Sequence, residues 1–309
     1  MLNILFNTIL PIFSIILLGF ILKCRDVIDA QFARKANLIV FNIGIPAMLL
    51  SEISRAPFRE NFNLAAVICS LCSMCIVLLA SIGVVHALSV RQSRRGTFVQ
   101  GSIHGNIGYM AYAIAYYAIG ESSFARMAIL SSFMIVGQNL LAVWALTSYG
   151  PEVEVNGRRW WPVLKNIVQN PIIVTVGVAI VYAALGLKIP APLQKGLDIL
   201  SGMALPTALL LIGSSLSFGA MRSMVKEIVA IGTLKLLALP LVGYFLLVVC
   251  KVPGPLVLPC VILLASPPAT ISYVMATELG GDPELAAATV SVFSLASALS
   301  YTIILSLLA

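Results

Sequence analysis

Three places in this chain set polar groups into otherwise apolar surroundings. Gly101-Ser102-Ile103-His104-Gly105-Asn106-Ile107-Gly108-Tyr109 puts three glycines, a histidine and an asparagine into one hydrophobic run. Ala265-Ser266-Pro267-Pro268-Ala269-Thr270 puts two adjacent prolines between hydroxyl side chains. Lys235 is a cation near the middle of the apolar run 225–250. Glycine has poor helix propensity, and two prolines remove two N–H donors and clash with the preceding turn, so both stretches should interrupt a helix. A helix restarted after a break presents free N–H groups and a partial positive charge, which attract anions. Asn106, Ser266 and Thr270 add side-chain donors and acceptors beside the breaks. The chemistry indicated is recognition of an anionic group.

The remaining polar candidates carry competing readings. An unpaired charge at the depth of Lys235 costs at least ~2.5 kcal/mol in a bilayer. It is read as a fixed cation that compensates half-helix C-termini or counters an anionic ligand; the alternative is a lysine bonded to carbonyls for structure. His104, one turn before the first break, is read as a hydrogen-bonded packing residue, with proton coupling as the alternative. Gln138 and Asn139 are expected to bond the broken backbone or to reach a ligand. Cys69, Cys72 and Cys75 make C-x2-C-x2-C, but no fourth ligand or polar surround is visible, so packing is expected and no metal. No carboxylate stands in either break. That weakens a sodium site without excluding one, since backbone carbonyls also coordinate Na⁺.

The elements that must position these residues are membrane spans. The chain of 309 residues is 60% hydrophobic and 10% charged, where soluble domains carry about 25% charge. Its mean hydropathy is +1.03. The net charge of +7 sits in short loops between apolar runs, which argues for a positive-inside bias and against nucleic acid. Runs of about 20 mostly apolar residues fall at 3–22, 36–53, 63–89, 98–119, 123–148, 164–186, 193–215, 225–250, 256–278 and 284–308. The first is read as a permanent span, not a signal peptide, and no soluble domain is expected before or after the spans. The expected fold is an all-α integral membrane protein of ten transmembrane helices.

The chain also matches itself at a shift of 160 residues: Pro11 falls on Pro171, Pro46 on Pro206, Gly83 on Gly243 and Gly120 on Gly280. Residues 1–148 and 164–309 are therefore two five-helix repeats, joined by a linker at 149–163. With the N-terminus outside, inner loops hold twelve Lys and Arg and outer loops six, so both termini are expected outside. An odd number of spans per half makes the second repeat inverted. Asn106 maps to Ser266, Ile107 to Pro267 and Gly108 to Pro268, so both halves break at one repeat position. Paired interruptions are the best pointer from sequence to a transporter site. Pro46 and Pro206 are expected to be symmetric kinks. Trp160 and Trp161 are expected at the membrane interface, and so is Asp198. Glu278, Asp282 and Glu284 are expected in solvent.

These features resemble the auxin efflux carrier family, which includes plant auxin exporters and bacterial malonate and other organic-acid carriers. The resemblance runs end to end. It rests on the five-plus-five spans, Asn106-Ile107-Gly108-Tyr109, Lys235 with Pro240, Pro267-Pro268-Ala269, and the stretch Gly280 to Leu285 leading into the last span. It implies that spans 4 and 9 cross at their broken midpoints, at the membrane midplane. It also implies a scaffold of spans 1, 2, 6 and 7, often dimeric, and a mobile part of spans 3–5 and 8–10. The chain has Ala111-Tyr112-Ala113 where many members carry a proline, and it lacks the long central loop of the large plant carriers.

The expected function is secondary active transport of a small organic anion, a carboxylate, by alternating access in the bacterial inner (plasma) membrane. Substrate contacts are expected from Asn106, Gly108, Tyr109, Ser266, Thr270, Lys235, Gln138 and Asn139, around a crossover made by Gly105, Ile107, Pro267 and Pro268. No cofactor is expected. The partners are the carboxylate, the bilayer and a second copy in a homodimer. A sodium-coupled symporter of the bile-acid carrier class is the alternative. An intramembrane enzyme is a further one, lacking a visible Asp pair, Ser–His pair or metal cluster.

Overall fold

The computed structural model describes residues 4–55, 62–149, 169–219 and 221–308. The linker beyond Tyr149, with Trp160 and Trp161, lies outside the described residues. Among the described residues the regular structure is all helical. The first half holds α1 (Leu5–Cys24), α2 (Ala30–Ser54) and α3 (Leu64–Ala87). It continues with α4 (Gln92–Ile103), α5 (107–119) and α6 (Ser123–Tyr149). The second half holds α7 (Pro171–Ala184), α8 (Ala191–Ser215) and α9 (Val225–Val249). It ends with α10 (Gly254–Leu264), α11 (Ser272–Glu278) and α12 (Pro283–Leu308).

Seven of these helices, α1, α2, α3, α6, α8, α9 and α12, are long and apolar enough to cross a membrane. α7 and α10 are shorter apolar helices. The other expected spans do not appear as single long helices, for a local reason. Span 4 is divided between α4 and α5, and span 9 between α10 and α11, at the glycine and proline stretches. Span 6 is short because Asn170 caps the start of α7: its Oδ1 accepts from the Ile172 N–H at 2.9 Å, with Pro171 as the first helical residue.

The two halves keep a common plan. A shift of 160 residues carries α3 onto 224–247, against Val225–Val249 observed, and α6 onto 283–309, against Pro283–Leu308. Backbone conformations recur at the same shift. Gly120 and Gly280 have φ of +77° and +78°, and Asp26 and Gly186 have +56° and +64°. Left-handed backbone of this kind favours glycine, with Asp among the residues that tolerate it. The prolines, however, are not handled alike. Pro11, Pro46 and Pro240 each follow a π-helical segment, at Leu5–Ile9, Val40–Gly44 and Thr233–Ala238. A wider turn accommodates the missing N–H and the ring clash. Pro206 instead lies within the α-helix α8, so Pro46 and Pro206 are not symmetric kinks.

α1 packs on α8, and α2 on α7 and α8; α3 packs on α9, and α4 on α6. α1 and α8 meet backbone to backbone: a Cβ on Gly19 would strike the Leu210 carbonyl, and one on Gly213 the Ile16 carbonyl. Small residues allow such approach between membrane helices. The outer faces are apolar, with Leu10, Leu17 and Ile21 exposed on α1 and Leu241, Phe245 and Val248 on α9. Apolar exteriors of this extent suit lipid as solvent. On α3, Cys69 is buried while Cys72 and Cys75 are exposed, so only the first packs into the core.

Asp282 corrects one expectation. It is not free in solvent: the Arg94 Nε donates to Asp282 Oδ2 at 3.0 Å, and Arg94 Nη1 to Glu227 Oε1 at 3.1 Å. The other Asp282 oxygen caps α12 by accepting from Leu285 N at 2.9 Å. Burial opposes the Arg94 charge, but the hydrogen bonds and charges of both carboxylates hold its pKa above the ordinary value. Glu278 and Glu284 are exposed as expected. Asp198 accepts from Ser51, Gln194 and both ways from Arg55, tying α8 to the end of α2.

Candidate functional site

The two interrupted stretches lie against each other. Gly105 and Pro268 form an antiparallel bridge. Asn106 N donates to the Pro267 carbonyl at 2.7 Å, and Ala269 N donates to the His104 carbonyl at 3.1 Å. The sequence explains this geometry. α4 makes its last helical bond at His104, whose N–H reaches Gln100 O at 2.8 Å, and His104 itself turns extended. α10 stops before Pro267, which can neither donate nor follow a helical turn. Each strand-like segment then needs partners for its backbone, and the other supplies them.

Side chains complete the accounting. Gln138, on α6, clasps Gly105 on both sides: Gly105 N donates to Oε1 at 2.9 Å and Nε2 donates to Gly105 O at 3.0 Å. Lys235 is fully buried and donates from Nζ to the Leu264 carbonyl at 2.9 Å, at the C-terminus of α10. A cation there satisfies a helix-end carbonyl and complements the negative end of the helix dipole. Ser266 Oγ donates to Leu263 O at 2.7 Å, one residue earlier. Gly105 has no room for a side chain: an added Cβ would meet Ser266 Oγ and lie 2.9 Å from Lys235 Nζ.

A cavity of about 320 Å³ opens beside this pairing. Its lining includes Asn106, Gly108, Tyr109, Gln138, Asn139 and Thr270, together with His104, Gly105 and Ile107 from the break. Lys235, Ser266, Pro267 and Pro268 are not in the lining; Pro267 and Pro268 are part of the pairing itself, and Lys235 and Ser266 bond the end of α10 next to it. His104 is buried, with Nδ1 3.4 Å from Ser272 Oγ on α11. Asn139 Nδ2 is tied to Ile135 O at 2.7 Å, which leaves its Oδ1 as the free end. Asn106 is 5% exposed, and its Nδ2 is a buried donor with no partner among the described residues. Among the described residues, no Asp, Glu, Lys or Arg lines the cavity. The first turns of α5 and α11 add backbone N–H groups that have no acceptor within their own helix.

Two polar lining residues escaped the sequence reading: Asn37 on α2 and Asn170 at the start of α7. The Tyr109 hydroxyl donates to Asn37 Oδ1 at 2.6 Å. Asn170-Pro171 is a helix-start signature, a cap followed by proline at the first position, and could have placed Asn170 at a helix mouth. Nothing in the sequence around Asn37 singles it out.

A family model described as membrane transport protein matches residues 4–155 and 161–305. A protein of Rhizobium meliloti (strain 1021) named "Putative malonate transporter" is 26% identical over 308 residues, covering 95% of this chain and 92% of that one. An "Uncharacterized transporter" of Methanothermobacter thermautotrophicus is 24% identical, covering 95% of each chain. Another, of Methanocaldococcus jannaschii, is 24% identical over 70% of each.

Proposed function

This chain belongs to the membrane transport protein family, that of the auxin efflux carriers, and on that footing we propose that it is a secondary carrier of a small organic anion. The substrate is a carboxylate, bound where the two broken spans pair and moved by alternating access. In this reading the chain crosses the bacterial inner membrane ten times, as two inverted five-helix repeats with both termini outside. The paired breaks form the crossover at the midplane, and a homodimer forms through the helices of spans 1, 2, 6 and 7.

One observation carries the proposal: the buried, unpartnered Asn106 Nδ2 beside a cavity that no carboxylate lines. A buried donor without an acceptor is costly, and an anionic oxygen in the cavity would satisfy it. Gly108 and Tyr109 on α5 and Val274 on α11 line the same cavity, beside first-turn N–H groups of their helices. The cavity volume lies within the range of small-molecule sites.

Malonate, named for one relative, is the probe. Purified protein in liposomes is expected to take up labelled malonate saturably, and Asn106→Ala to bind it about 10- to 100-fold more weakly, as loss of a hydrogen bond to a charged partner implies. Equal binding by Asn106→Ala and wild type would place the site elsewhere.

A further inference from the structure

We infer that Asn37 and Asn170 form a second donor pair in the cavity lining, holding the ligand's anionic oxygens together with Asn106. This rests on the carboxylate reading above and assigns residues that reading does not use. Both side chains line the cavity. Both come from helices outside the broken spans: Asn37 from α2, Asn170 from the cap of α7. What decides their chemistry is which end of each carboxamide is already engaged. Asn37 Oδ1 accepts from the Tyr109 hydroxyl at 2.6 Å. Asn170 Oδ1 accepts from the Ile172 N–H at 2.9 Å. An amide whose oxygen is held by a donor has its NH₂ group left to offer. Tyr109 and the first turn of α7 therefore turn two ambivalent side chains into donors.

The contrast with Asn139 supports the distinction. There the nitrogen is engaged, by Ile135 O, and the oxygen is left over. The cavity thus offers donor ends at Asn37, Asn106 and Asn170 and an acceptor end at Asn139, all without a fixed charge. Such a site suits an oxyanion and disfavours a cation. At the repeat shift, Asn37 falls on Leu197 and Asn170 on Leu10, so neither residue has a polar counterpart at its repeat position.

The test exchanges donor for acceptor at constant shape. Asn37→Asp keeps the oxygen that Tyr109 bonds, and Asn170→Asp keeps the oxygen that caps α7, but each replaces the NH₂ with a carboxylate oxygen. Wild type, both variants, Asn170→Ser and Asn106→Ala are titrated with malonate as purified full-length protein, with thermal unfolding followed in parallel. Asn37→Asp and Asn170→Asp are expected to unfold near the wild-type temperature and to lose at least about tenfold in affinity. Asn170→Ser, a cap without an NH₂, is expected to lose less than Asn170→Asp. Wild-type affinity in both Asp variants, with Asn106→Ala weakened, would overturn the donor pair and leave the carboxylate site standing. No malonate binding by wild type at millimolar concentration, or no effect of Asn106→Ala, would overturn both.

Discussion

Lys235 and Gly105 show how closely single residues are fitted at the pairing of the breaks. The ammonium holds a carbonyl that the end of α10 leaves without a helical partner. Unsatisfied backbone in a membrane interior costs several kcal/mol. Lys235→Met is therefore expected to lower the unfolding temperature markedly and abolish uptake. Lys235→Arg should not restore wild-type uptake, because a planar fork cannot occupy the place of a compact ammonium. Unchanged unfolding in Lys235→Met would show the bond to be incidental. Gly105→Ala should open the bridge, since its Cβ collides with Ser266 and the lysine. The measurement is uptake at matched expression, and wild-type rates would contradict the packing.

The elements carry a different kind of demand: broken helices must stay broken. Pro267→Ala with Pro268→Ala restores two N–H donors and removes two ring clashes, so 254–278 is expected to become one helix. Uptake should fall sharply while membrane insertion persists; normal uptake in the double variant would remove the paired breaks from the mechanism. At the other end of α4, Arg94→Met strands Asp282 and Glu227 together and should cost ~3 kcal/mol, read as a lower unfolding temperature. The breaks were legible because glycine and proline act locally, through their own backbone. What the breaks bind to was legible only in kind, as broken backbone for Gln138 and half-helix carbonyls for Lys235, and not by residue. Gln138 clasping Gly105 spans 33 residues and Lys235 reaching Leu264 spans 29, and nothing local in either residue names its partner. Asp282 was misread for the same reason, because its partner Arg94 lies 188 residues away. Asn37 stayed hidden because one asparagine in an amphipathic helix looks like any other until Tyr109 fixes its orientation.

At the scale of the whole molecule, the charge count argues for an orientation that labelling can check. In a background with all six cysteines replaced, a cysteine at Arg91 should be protected from impermeant reagents added outside. One at Lys188 should react. Both positions are exposed, so accessibility within the fold does not confuse the result, and the opposite pattern would reverse the orientation. The expectation of ten spans came from run length, yet length alone picks out seven helices here. Of the other three expected spans, 4 and 9 are each divided at a glycine or proline stretch, and the helix of span 6 starts late, at the Asn170 cap.

The matched left-handed residues, Gly120 with Gly280 and Asp26 with Gly186, bear on how such a molecule came to be. Side chains at repeat positions have drifted apart, but these corners have kept their shape. Such recurrence is what a chain built from one duplicated segment would show. Two identical halves must share every task equally. Once fused, they need not: one copy kept Asn106, Gln138 and Asn139, while at the same positions the other carries Ser266, Ala298 and Leu299. At these positions the polar side chains stand mostly in the first half, and the adjacent prolines in the second. A chain rebuilt from two copies of either half would therefore inherit the architecture and lose the division of labour.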